Sequence, residues 1–417
     1  MHKILFFEEF RLREHVSIFC TINLYFLYFN DIAKKEHKIS IKAPTNKTLK
    51  FYAHHFLPHH SKSQSTYNYD TILPETFTKG SSLINLLTVC ALALFTSLIL
   101  SRLIINFLGQ RLLDTPNHRS SHQTPTPRGG GIALVCGVIA SSLLAWHFGL
   151  IITVTTYWLL LLSVLMALLG TCDDLLNLKV GIRLITQALL SASGTLIIGM
   201  NTELPTGMQL LAAIFLILLT TWITNLYNFM DGINGLAALE AISVCAGMGI
   251  IYWMLLTNSD ETYLLSIIAA SSCGFLFWNF PKAKLFMGDS GSLFLGFIFG
   301  LFIIHSAKTN LLLTLAWLIM LAVFITDASY TLAYRFLSKQ PVHQAHRTHA
   351  YQKVATRFGS HTFTTLSITA INLFWLFPIA IAVATNKLNP ALAMIVVYTP
   401  LLLLTHKLQA GKIEKAN

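Results

Sequence analysis

Five carboxylates stand where chemistry can use them: Asp114, Asp173, Asp174, Asp231 and Asp289. Each lies at the end of a long apolar run or in the short loop beside it. Four of them, the Asp173–Asp174 pair included, sit within a few residues of lipid depth. A carboxylate there is costly unless it meets a cation, so such residues are functional by default. Counted along the apolar runs, all five fall on one side of a membrane. Carboxylates gathered on one face suit the binding of a metal ion and of phosphates.

Other chemistry-bearing residues lie close to them in sequence. The segment from Asp114 to Gly131 carries three prolines, which keep it from becoming helix. It also carries Arg119 and Arg128, whose fork-shaped donors suit phosphate. Its three closing glycines, centred on Gly130, would let backbone N–H groups approach a ligand. The bland alternative is a basic connector, for which three glycines are excessive. Asp173 and Asp174 fall at the end of an apolar run, where the helix dipole disfavours negative charge. They call for cationic help, from Lys179, Arg183 or Mg²⁺; the alternative is an exposed acidic turn. Asn225, Asn228, Asp231 and Asn234 recur at intervals of three and would form a stripe if the helix continued. One such residue would suffice as a cap. Met287-Gly-Asp289-Ser-Gly-Ser292 reads either as a helix cap or as a metal ligand beside backbone donors. His346, Arg347 and His349 could face one anionic ligand or form a solvated basic loop. Asp327 is either a partner of Arg335 or part of the site.

The elements that must position these groups follow from composition. The 417 residues are 54% hydrophobic and 11% charged, with mean hydropathy +0.61. That excludes an ordinary soluble globule. The runs predict an all-α polytopic membrane protein with about eleven transmembrane helices, whose loops on one side carry the candidate catalytic residues. The expected spans are 82–108, 131–149, 152–170, 183–200, 208–227, 236–256, 263–280, 290–307, 311–332, 364–384 and 390–406. Loops after the odd-numbered spans carry Arg111, Arg119, Arg128, Lys179, Lys282, Lys284, Arg335 and further cations. The alternate loops carry only Lys308 and Lys387. Positive charge stays in the cytoplasm, so the carboxylate side is cytoplasmic. The same rule accounts for the net charge of +11 without nucleic-acid binding. The six cysteines, in irregular spacing, read as small packing residues, Cys172 included. Residues 1–80 form a non-catalytic extension or follow an unused upstream start; 81–410 form the catalytic membrane domain and 411–417 a cytoplasmic tail.

Taken together, Asp114-Thr-Pro…Arg-Gly-Gly-Gly131, Asp173-Asp174, Asn228-Phe-Met-Asp-Gly-Ile-Asn-Gly-Leu-Ala237, Met287-Gly-Asp-Ser-Gly-Ser292 and His346-Arg-Thr-His349 resemble the bacterial polyprenyl-phosphate N-acetylhexosamine-1-phosphate transferases. The resemblance covers residues 85–410. It implies transfer of a sugar 1-phosphate from a UDP-N-acetylhexosamine to undecaprenyl phosphate at the inner face of the bacterial cytoplasmic membrane, with release of UMP. It implies Mg²⁺ as cofactor, with Mn²⁺ as a substitute. It makes Asp289 a metal ligand, with Asp174 also in metal reach. Asp173 and Asp174 would orient or deprotonate the lipid phosphate, and Asn228 and Asp231 would hold the nucleotide. His346, Arg347 and His349 would bind the donor's diphosphate or sugar; Arg119, Arg128, Gly130 and Lys179 complete the expected substrate contacts. The His-Arg-Thr-His pattern is closer to the branch that starts O-antigen-type polysaccharides than to the phospho-N-acetylmuramoyl-pentapeptide transferases, whose histidines are contiguous. A homodimer is compatible with the sequence, and so is a rival of another class, a cation-coupled transporter. Carboxylates gathered at one interface and the lack of repeated halves speak against that rival.

Overall fold

Apolar runs of this length leave the chain one economical choice in lipid, the helix, because it satisfies each N–H and C=O within its own segment. A computed structural model describes residues 79–108, 113–114, 125–199, 205–256, 259–341 and 346–413. The extension expected over 1–80 lies outside the described residues apart from its last two, and so does Arg119. The described chain forms α1 (Lys79–Leu103), continued by a π turn (Ile104–Leu108), then a two-strand pair, β1 (Leu113–Asp114) and β2 (Thr126–Pro127). There follow α2 (Gly130–His147), α3 (Val154–Leu176), α4 (Val180–Ile198), α5 (Thr206–Met230), α6 (Leu236–Leu256) and α7 (Asp260–Asn279). The remainder is α8 (Asp289–Thr309), α9 (Leu311–Met320), α10 (Ala322–Leu337), α11 (Ala350–Phe358), α12 (His361–Ile371), α13 (Phe377–Ala384) and α14 (Pro390–Lys407). A second π turn joins α12 to α13.

Among the described residues, ten helical segments are long and apolar enough to cross a membrane; α9 and α10, bent by 69°, make an eleventh if counted as one span. The chain is thus an all-α polytopic membrane protein, as its hydropathy predicts. Two departures from the expected spans bear on the site. α3 runs on to Leu176, past the Asp pair, rather than ending near residue 170. The span expected over 311–332 is broken at Leu321.

α8 is the central helix and is almost wholly buried. Its buried apolar residues run all round it, as suits a helix surrounded by others. Small residues bring the neighbours close, the usual device where lipid supplies no hydrophobic drive between helices. A Cβ on Gly296 would stand 2.9 Å from Thr224 Cα, and one on Gly300 would stand 2.6 Å from Thr220 Cγ2, both on α5. At the site end, a Cβ on Gly131 would stand 2.6 Å from Ser290 Oγ and nearer still to the Gly291 backbone. A Cβ on Gly170 of α3 would lie 2.5 Å from the Asp289 carbonyl carbon. The starts of α2 and α8 and the end of α3 therefore touch backbone to backbone.

The opposite end of the bundle is closed by Asp260, whose Oδ2 accepts hydrogen bonds from Ile152 N (3.0 Å), Thr153 N (2.7 Å) and Thr153 Oγ1 (2.7 Å). Five cysteines are described and all are free. Cys172 is exposed on α3 rather than packed between helices as expected.

Candidate active site

Asp173 and Asp174 are adjacent, yet their side chains diverge. Asn177 adopts a left-handed conformation (φ 50°) and ends α3. The chain then turns back, and Leu178 N donates to Asp173 Oδ1 at 2.9 Å. This reversal brings Arg183, one turn into α4, against Asp173: Nη1 donates to Oδ2 at 2.6 Å and lies 3.4 Å from Asp289 Oδ2. Asp174 points the other way. Its Oδ2 accepts from Ser290 N at 3.3 Å, so a carboxylate from the end of α3 caps the start of α8. The positive end of the α8 dipole offsets the unfavourable position at the end of α3. The Oδ1 of Asp174 is buried and has no hydrogen-bond partner among the described residues; Arg128 Nη1 stands 4.0 Å from it.

Asn228, in the last turn of α5, completes this group. Its Nδ2 donates to Asp289 Oδ1 (2.8 Å) and to Ser292 Oγ (2.9 Å). Asp231 follows α5 as its C-cap. Burial, reinforced by the negative charges of Asp289 and Asp174, holds its pKa well above the usual carboxylate range. Four carboxylates, two arginines and an asparagine thus converge where α2, α3, α4, α5 and α8 have their ends on one side of the bundle.

The histidine segment borders this cluster. The rings of His346 and His349 stack with centroids 4.9 Å apart, and His349 also stacks on Phe229 at 6.3 Å. Tyr351 Oη donates to the carbonyl of Phe229 at 3.0 Å, the residue after Asn228. Burial, with the neighbouring His349 and Arg335, lowers the pKa of His346 to about 3. It is uncharged at neutral pH. Arg347 is exposed.

Several expectations need correction. Gly130 and Gly131 do not offer their N–H groups to a ligand: they donate to Phe286 O (2.9 Å) and Met287 O (2.8 Å), anchoring the loop before α8. Lys179 is exposed at the N-cap of α4; Arg183 supplies the cation instead. The stripe of four does not form, because α5 ends at Met230. Asn225 turns to Gln187 Oε1 (2.6 Å) and Asn234 to Pro281 O (3.1 Å), leaving Asn228 and Asp231 at the site. His346 and His349 meet through an irregular, bent segment and not through helical spacing. Arg335 pairs with Gln340 Oε1 (2.9 Å) and Pro341 O (2.8 Å), not with Asp327. Asp114 contributes backbone to β1, opposite Thr126.

The donor set suits a divalent cation. Among the described residues no three carboxylate, thiol or imidazole groups close a metal shell by themselves. Mg²⁺ seldom needs one, since it takes one or two carboxylates and fills the rest with water and phosphate oxygens. The orphaned Oδ1 of Asp174 beside Asp289 fits that pattern.

Residues 156–307 match the family model described as glycosyl transferase family 4. A Bacillus subtilis (strain 168) protein named "probable undecaprenyl-phosphate N-acetylglucosaminyl 1-phosphate transferase" is 30% identical over 282 residues, 63% of this chain and 75% of the relative. The chain belongs to glycosyl transferase family 4. Two further relatives are similar to the chain. A decaprenyl-phosphate N-acetylglucosaminephosphotransferase of Mycobacterium leprae is 33% identical over 203 residues, 43% of this chain and 51% of the relative. A phospho-N-acetylmuramoyl-pentapeptide-transferase of Corynebacterium kroppenstedtii is 28% identical over 349 residues, 70% of this chain and 92% of the relative. The family 4 match takes in Asp173, Asp174, Arg183, Asn228, Asp231 and Asp289.

Proposed function

We propose that this family 4 protein transfers an N-acetylhexosamine 1-phosphate from a UDP-sugar to undecaprenyl phosphate on the cytoplasmic face of the bacterial inner membrane, releasing UMP. The product would start the O-antigen of lipopolysaccharide or a related envelope glycan. One observation carries the reading: Asp173, Asp174 and Asp289, with Arg183 and Asn228, form a single hydrogen-bonded and charge-paired group at one end of a membrane-spanning bundle. A lipid-borne phosphate and a soluble nucleotide-sugar can meet only at such an interface. The excess of cationic loops on this side supports a cytoplasmic orientation.

The chemistry is a phosphoryl transfer, in which positioning and charge neutralisation do most of the work. An oxygen of the lipid phosphate attacks the sugar-linked phosphorus. The bond from that phosphorus to the bridging oxygen breaks, and the oxygen leaves with UMP. Asp289 and Asp174 would hold Mg²⁺, which would supply charge neutralisation to the phosphates there. Asp173 is engaged by Arg183 and by Leu178 N, so it orients Arg183 and is not a free base. Asp174, whose Oδ1 has no hydrogen bond among the described residues and only the more distant Arg128 charge beside it, would be the group to take a proton or to approach the lipid phosphate. Arg183 and Arg128 oppose the repulsion between two anionic substrates. Asn228 fixes the Asp289 carboxylate, and His346, Arg347 and His349 face the donor's sugar phosphate. His346, being neutral, acts by hydrogen bonding rather than by charge.

The test is direct. Membranes containing the protein are given undecaprenyl phosphate, Mg²⁺ and a panel of UDP-N-acetylhexosamines that includes UDP-N-acetylmuramoyl-pentapeptide. UMP release with one of the simple hexosamine donors supports the assignment. Release only with the pentapeptide donor moves the protein to the peptidoglycan branch. Solute uptake without any UMP release would replace the enzyme by a transporter.

A further inference from the structure

Asp327 lies in α10, beyond the 69° break from α9, and is 4% exposed. A buried carboxylate in a membrane helix needs an explanation, and this one has four donors around it. Its Oδ1 accepts from Ala350 N (2.8 Å) and Thr331 Oγ1 (3.1 Å) and stands 3.3 Å from His349 Nδ1. Its Oδ2 accepts from Tyr351 N at 2.8 Å. Ala350 and Tyr351 are the first two residues of α11, whose free amides a carboxylate caps favourably. These donors are therefore spent on Asp327 and do not serve a substrate anion. A carboxylate oxygen 3.3 Å from Nδ1 favours a proton on that nitrogen of His349 and fixes the orientation of the ring.

The second half of the linkage is Tyr351. Its hydroxyl reaches the Phe229 carbonyl at 3.0 Å and fills the space beside Gly232 where a Cβ would collide with it. One residue is thus tied to Asp327 by its backbone and to the Asn228–Asp231 corner by its side chain. His349, held by the same carboxylate, stacks on Phe229. The histidine segment and the carboxylate cluster are two parts of the site that come from distant stretches of sequence, and Asp327 sets their register.

We propose that Asp327 is a positioning residue that fixes the orientation of the His349 ring and docks the 346–351 segment onto the end of α5, so that the half of the site facing the sugar diphosphate is formed before that ligand arrives. The proposal rests on the functional reading above for its substrate, but not for its geometry. The experiment uses the full-length protein in lipid nanodiscs, as wild type, Asp327→Asn and Tyr351→Phe.

Two readouts are taken. The first is amide hydrogen exchange, which needs no turnover: Asp327→Asn should raise exchange at Ala350 and Tyr351 about tenfold or more and leave α8 unchanged. The second is steady-state kinetics: KM for the UDP-sugar should rise about tenfold while KM for undecaprenyl phosphate stays within about twofold and kcat falls less than KM rises. Tyr351→Phe should move the donor KM in the same direction by a smaller factor, with faster exchange at Gly232 and Ile233. Unchanged exchange in Asp327→Asn overturns the proposal. So does a fall in kcat with donor KM unmoved, which marks a merely structural role. If Asp327→Asn fails to insert, Tyr351→Phe decides by the same measures. If wild type turns over no UDP-sugar, the activity assignment fails, and the exchange readout still decides the docking role.

Discussion

Gly170→Ala is the perturbation that the geometry specifies most sharply. The added methyl would stand 2.5 Å from the Asp289 carbonyl carbon and 2.7 Å from Ser290 N. Both are backbone atoms, so no side chain can swing away. Carbon atoms in contact prefer roughly 3.5 Å, so α3 and the start of α8 must part by about 1 Å. Overpacking of this kind costs about 1–3 kcal/mol in stability, which a chain this size survives. Its effect on chemistry is larger. Asp173 and Asp174 lie about one turn beyond Gly170 on α3, and Asp289 begins α8. The separation falls directly between the carboxylates that the proposed reaction uses together, and a displacement of about 1 Å can cost on the order of 100-fold in rate. The expected result is a kcat for UMP release reduced about 100-fold, with the protein still inserted and its unfolding temperature lowered by a few degrees. Activity within about threefold of wild type, at equal expression, would show that the α3–α8 contact does not set the reacting geometry.

Arg183→Gln should lower turnover by about 100-fold or more and destabilise the protein by about 3 kcal/mol, because it strips Asp173 and Asp289 of their shared cation; thermal unfolding and UMP release check both. Asp289→Asn should abolish turnover and the Mg²⁺ dependence of ligand binding while the protein still inserts, as read by UDP-sugar binding with and without the metal. Asp231 has a pKa raised by burial and by Asp289 and Asp174. Its ionisation therefore opposes folding once pH rises through the unfolded value of about 3.9, and the penalty grows until the folded pKa is reached. Asp231→Asn removes that term, so in substrate-free protein its unfolding temperature should exceed wild type at pH 7.5 and approach it at pH 4. A variant less stable than wild type at both values would contradict the burial argument.

Hydropathy and charge asymmetry were enough to read the spans, their order and the shared side of the carboxylates, because lipid leaves a backbone so few options. What stayed open depends on where the chain reverses. Lys179 and Arg183 were both candidate cations for the Asp pair, and the left-handed turn at Asn177 delivers Arg183. Arg183 is the sole charge within Val180–Ile198, and an unaccompanied cation in an apolar helix asks for an anion. The interval of three from Asn225 to Asn234 suggested one face, but the helix stops at Met230 and the later two residues leave it. The glycines before α2 signalled close approach correctly and its object wrongly, since the partner is the backbone of the loop before α8. The break at Leu321 has no proline or glycine to announce it. Asp327 could not be assigned because three of its four partners lie more than twenty residues away, at His349, Ala350 and Tyr351.

The glycine contacts at the mouth of the bundle carry one more consequence. Where side chains interdigitate, helices can slide as a bilayer thickens, thins or warms. Main chain resting on main chain has no such slack. The spacing of the acidic groups is then indifferent to acyl-chain length and membrane fluidity, and a cell could remodel its lipids without retuning this catalyst.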